Sequence, residues 1–96
     1  MIDNEELETE RIIKALGKPV DIRGGLWDIK ISFENDYLMK ASGELRPGAN
    51  FLVYKKSMKK WETPHDNELV NDKIRKYIID EVVGSWEPGK VNITFE

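Results

Sequence analysis

The chain has no cysteine, so disulfides, thiolate nucleophiles and thiolate metal ligands are all excluded, and a reducing cytosol suits it. It has a single histidine, His65. A zinc site draws on three or four convergent ligands, usually His or Cys, which this composition does not supply. Asp66 and Glu68 lack the ordered acidic run and glycine of a Ca²⁺ loop. No nucleophile motif of the G-x-S-x-G type occurs, and Gly24-Gly25 opens neither a G-x-G-x-x-G nor a G-x-x-x-x-G-K phosphate loop. No apolar run approaches the ~20 residues that span a bilayer. The start, Met1 into the base-free acidic segment Asp3–Glu10, lacks the basic and apolar regions of a signal peptide. These absences lead to the expectation of a soluble, cytoplasmic protein with no catalytic constellation, no cofactor and no metal.

What is present bounds the chain from the other side. Its 96 residues are expected to form one domain, 1–96, with no room for a second core. A chain of this size buries only about two-thirds of the surface exposed on unfolding, so its stability margin is thin. Hydrophobic residues make up 40% and charged residues 34%, and three Trp, three Tyr and three Phe argue against disorder. The net charge is −3, with a sequence pI of about 5.2. That acidity disfavours non-specific nucleic-acid binding, which needs a basic footprint, and leaves a basic protein partner open.

Along the chain, Asp3–Gly17 reads as a helix. Asp3 is the N-cap, Glu6 can complete a capping box, and the clustered acids suit the positive end of the helix dipole. They read as a solvated face rather than a binding tail. Ile2, Thr9, Ile12, Ile13 and Leu16 share a side, with Leu7 off the stripe. Glu10 and Lys14 stand at i,i+4 in the favourable order, and Gly17 with Pro19 ends the helix. Val20–Arg23 is a short strand or an extended connection. Trp27, Ile29, Ile31 and Phe33 then alternate with polar residues, which predicts a strand with one buried face and places Trp27 in the core. Asn35-Asp36 turns the chain into an antiparallel strand over Tyr37–Glu44. Pro47-Gly48 turns it again into a third strand, Phe51–Lys56.

The spacing of Ile74, Tyr77, Ile78 and Val82 predicts a second helix over Asn71–Val83, N-capped by Asn71 and stopped by Gly84. Ser85–Lys90 is a turn around Trp86, and Val91, Ile93 and Phe95 alternate in a last strand. The fold class expected is α+β: helix, three-strand antiparallel meander, helix, strand, with the second helix covering one face of the sheet.

The stretch Ser57–Tyr77 holds the candidate site. Lys55, Lys56, Lys59 and Lys60, interleaved with Tyr54 and Trp61, form the one basic cluster. Lysines on an edge strand guard against sheet-to-sheet aggregation, and that use ranks first for them, ahead of a protein contact. A small nucleic-acid-binding regulator using Lys55–Lys60 is the alternative function. His65, in the loop ahead of the helix, is assigned local hydrogen bonds or a partner contact rather than catalysis. Trp61 and Trp86 lie in loops, where a tryptophan either folds back onto the core or anchors an interface. Asp80 and Glu81 sit on a wet helix face.

The string F-L-V-Y, then S-M-K-K-W-E-T-P-H and the helix containing Ile74 and Ile78, resembles a family of small bacterial immunity proteins of polymorphic-toxin systems. Their W-E-x-P loop precedes the main helix, and the resemblance covers Phe51 to Ile79. Members often carry a second proline where Thr63 stands, and the chain departs there. The resemblance implies a non-enzymatic inhibitor that neutralises a toxin by protein–protein binding, with Tyr54, Lys56, Lys60, Trp61, Pro64, His65 and Trp86 as motif or interface candidates. A scaffold role for the loop makes a sharper expectation: Trp61 is buried against the second helix, on the face holding Ile74 or Ile78, and Pro64 stiffens the connection.

Overall fold

A computed structural model describes residues 3–48, 50–85 and 92–96. Its first helix, α1, spans Asn4–Leu16, and the Asp3 carboxylate accepts the Glu6 amide at 2.8 Å as its N-cap. Thr9, Ile12 and Leu16 form the buried stripe, and Leu7 is exposed. Gly17 follows with φ of 61°, the left-handed conformation that glycine adopts at little cost. Among the described residues Glu10 and Lys14 do not pair. Arg11 instead bridges Glu8 on the same helix and Glu68 in the distant loop.

Four strands follow in a meander: β1 (Asp21–Gly24), β2 (Asp28–Ser32), β3 (Leu38–Arg46) and β4 (Asn50–Val53). The segment left open between strand and connection is therefore a strand, paired antiparallel to β2 from Asp21↔Ser32 to Gly24↔Ile29. Asn35 and Asp36 both take positive φ, 59° and 64°, which lets two residues reverse the chain between β2 and β3 with the twist the strands need. The nine-residue β3 holds the sheet together. Its first half pairs with β2 (Ile29↔Ala41, Ile31↔Met39) and its second with β4 (Gly43↔Val53, Leu45↔Phe51). Gly43 marks a close approach, because a Cβ there would run into the Leu52 carbonyl and lie 2.8 Å from the Phe51 ring.

The third strand ends earlier than expected. After Val53 the chain winds into a 3₁₀ turn, Lys55–Ser57, in which Ser57 Oγ accepts the Ser42 amide. The second helix, α2, spans Asp72–Ser85 and passes through Gly84, which therefore lies inside the helix instead of stopping it. The last strand, β5 (Asn92–Phe95), pairs parallel to β4, so the sheet order is β1-β2-β3-β4-β5. Parallel pairing requires a crossover, and the segment carrying α2 supplies it.

The fold is α+β, with two α-helices and one five-stranded sheet among the described residues. Ile12 and Leu16 of α1 join Ile29, Ile31, Met39, Ala41, Phe51 and Val53 of the sheet and Ile74, Ile78 and Val82 of α2 in one core. Lys30 and Lys40 alternate with the core residues of β2 and β3 and face solvent. Trp27 corrects the core assignment made from alternation, since it precedes β2 and is 69% exposed. Its carbonyl accepts the Gly43 amide at 2.9 Å, so its neighbour across the sheet is a glycine with no side chain to pack on. Ile2, Trp86 and the turn around Trp86 fall outside the described residues. No helix among the described residues is long and apolar enough to cross a membrane.

Candidate functional site

The connection from the 3₁₀ turn to α2 is pinned to the body at its start, middle and end. Met58 is fully buried in the core. Trp61 is fully buried as well, as the spacing of strand and helix led us to expect, within the core that holds Ile74 and Ile78. Its indole meets two rings in T-shaped contacts, Tyr37 at 5.0 Å and Phe33 at 6.4 Å between centroids. Its Nε1 donates to the Leu69 carbonyl at 3.1 Å, so the buried donor is satisfied by the loop that it anchors. The Glu62 amide donates to the Leu38 carbonyl and ties the same loop to β3.

Outside this anchor lies a polar network. After the cis Thr63–Pro64 peptide, with Thr63 and Pro64 exposed, the chain brings His65 flat against Tyr37, with ring centroids 3.6 Å apart and an interplanar angle of 4°. His65 Nδ1 bonds the Glu68 carboxylate, and Nε2 bonds the Asn35 carbonyl at 2.8 Å. Both nitrogens face acceptors, so only the imidazolium satisfies both with N–H donors. Burial opposes that charge, but the bonds to Asn35 and Glu68 outweigh it and raise the His65 pKa above its ordinary value. Glu68 also accepts Tyr37 Oη at 2.5 Å and Arg11 Nη2 at 3.0 Å. Burial would push its pKa up, yet the bonds from Tyr37, His65 and Arg11 prevail and hold it at about 2. The local contact assigned to His65 is thus present, and it joins α1, the β2–β3 turn and the loop.

At the end of the connection Asn71 serves two elements. Its Oδ1 accepts the Ile74 amide at 3.0 Å and caps α2, while its Nδ2 donates to the buried Thr9 hydroxyl of α1 at 2.8 Å. Tyr77 Oη adds a second tie between the helices, donating to the Gly17 carbonyl at 2.6 Å.

The lysine cluster divides. β4 lies between β3 and β5 and stops at Val53, so these lysines are on no edge strand and their aggregation-guarding role is overturned. Lys55, Lys56 and Lys59 instead line a groove with Asp72, Arg75, Lys76 and Ile79 of α2. Exposed Lys60 is not part of that lining. Tyr54 is 38% exposed, and its hydroxyl donates to Glu44 at 2.8 Å, away from the groove. Arg75 and Lys76 were not singled out by sequence because they read as ordinary exposed helix positions. Glu68, Tyr37 and Arg11 were missed because their contacts span the chain. Among the described residues no group of three His, Asp or Glu is placed to hold a metal.

The chain belongs to the Immunity protein 74 family, whose sequence model matches residues 21–96. That span takes in the whole sheet, the lysine linker, the W-E-T-P-H loop and α2, and begins after α1. No curated protein and no solved structure matches the chain.

Proposed function

We propose that the chain neutralises a toxin by binding it, without catalysis, in the cytoplasm of the cell that makes it. Membership of the immunity protein family carries this reading. The geometry of the loop supports it. The polar groups of Trp61, His65 and Glu68 are engaged by Leu69, Asn35, Tyr37 and Arg11, which assigns them to holding the loop in shape. Among the described residues no buried side-chain polar atom lacks a partner, as a loop held in one shape requires. A rigid loop and a rigid helix face give a protein partner a surface that needs little ordering on association.

Co-expression tests the proposal. The chain, produced together with a candidate toxic domain from the same genome, is expected to restore growth and to co-purify with that domain. Cells that die at the same rate with and without the chain, and no complex on purification, would overturn it.

A further inference from the structure

The groove between the 3₁₀ turn and α2 is lined mostly by cationic side chains. It is open, has a volume of about 810 Å³, and brings Lys55, Lys56 and Lys59 opposite Arg75 and Lys76, with Ile79 also in its lining. These cations come from separate stretches of sequence in a chain whose net charge is −3. Among the described residues Asp72 is the one acid in the lining, and it is bound to Arg75 at 2.6 Å. Arg75 also donates to the Met58 carbonyl at 3.1 Å, so its guanidinium is fixed across the groove before any partner arrives. Lys76 shares Asp80 at 3.3 Å, whereas Lys55, Lys56 and Lys59 have no ion pair among the described residues.

We propose that this groove is the docking site for a carboxylate-bearing segment of a partner protein, with aspartates or glutamates reaching the three lysines and an apolar side chain meeting Ile79. The inference rests on the reading that the chain binds a protein, and it names the chemistry of the part bound. Complementary charge speeds such an encounter and fixes its register. A nucleic acid fits the groove less well. Single-strand sites combine a basic track with aromatic stacking platforms, and the nearby Tyr54 is tied to Glu44 instead of lining the groove. Three free lysines also give few phosphate contacts, and Asp72 repels a phosphate backbone. The net charge of the chain and the charge of its docking surface therefore have opposite signs.

The test compares two charge-matched variants, Lys56→Glu with Lys59→Glu in the groove and Lys14→Glu with Lys30→Glu elsewhere, all four being exposed positions. The probe is a fluorescein-labelled peptide alternating glutamate and leucine, read by anisotropy at low salt beside a single-stranded DNA oligonucleotide of equal charge. The peptide is expected to bind the parent chain, about tenfold more weakly to the groove variant, and unchanged to the control, the change expected when exposed ion pairs become repulsions. Equal weakening in both variants, no peptide binding by the parent, or tighter binding of the oligonucleotide with the same lysine dependence would overturn the proposal. Each of these results leaves toxin neutralisation standing if the parent chain still protects cells. Lost protection with retained, groove-dependent peptide binding overturns neutralisation and leaves the groove assignment in place.

Discussion

At the scale of single residues, two tryptophans make opposite predictions. Trp61 is fully enclosed, meets two aromatic rings in T-shaped contacts and satisfies its indole N–H. Trp61→Ala is expected to destabilise the fold by about 3–5 kcal/mol, as deletion of a large buried aromatic does, and so to remove a large share of a small domain's stability. Trp27, exposed beside Gly43, is expected to tolerate alanine within about 0.5 kcal/mol. Denaturant midpoints of the two variants check both, and similar midpoints would mean that Trp61 does not anchor the loop. The pair also shows how far sequence reaches. Alternation in Trp27–Phe33 gives the face of the strand correctly, but it does not say how far along the strand the cover extends. Trp61 was legible because a long connection to a covering helix needs an anchor. Glu68 was not legible, since its partners Tyr37 and Arg11 lie 31 and 57 residues away and one sequence carries no trace of such contacts.

At the scale of elements, the W-E-T-P-H loop behaves as a clasp whose strength depends on pH. The folded pKa of His65 is raised above 6.5, so its contribution is fully present below that value and is lost as pH rises through the folded pKa. The folded pKa of Glu68 is depressed from 4.5 to about 2, so its contribution is present above 4.5 and is lost as pH falls toward 2. Stability from the clasp is therefore fullest between the ordinary carboxylate and histidine values, 4.5 and 6.5. Melting temperatures from about pH 6 to about pH 8 are expected to decline in the parent and to be flatter in His65→Gln. Parallel curves would show that His65 does not drive the decline.

Asn71 carries a further element-scale prediction, because it caps α2 and holds α1 through Thr9. Asn71→Ala is expected to destabilise by about 1–2 kcal/mol, and Asn71→Asp by less, since aspartate keeps the cap and loses only the donor. Equal losses on chemical denaturation would contradict the dual role. Both helices and their N-caps could be read from the sequence because they depend on neighbours in the chain. The 3₁₀ turn that removes Lys55 and Lys56 from a strand could not. It depends on β4 being flanked by β3 and β5, a matter of topology rather than of local pattern.

At the scale of the whole molecule, cations from two separate stretches of sequence meet around one groove. The acids that make the chain net negative include five in the first ten residues, while Lys55, Lys56 and Lys59 gather with Arg75 and Lys76 around one groove. Composition alone conceals this arrangement, because it does not say which charged side chains the fold brings together. A binding inhibitor works by occupancy, whereas an enzyme acting on a toxin works by turnover. Titration of the purified toxic domain with the chain separates the two directly. Neutralisation by binding predicts that residual toxin activity falls in proportion to added chain, ends at equimolar amounts and does not change on longer incubation. Progressive loss of toxin activity at far less than equimolar chain, deepening with time, would contradict it.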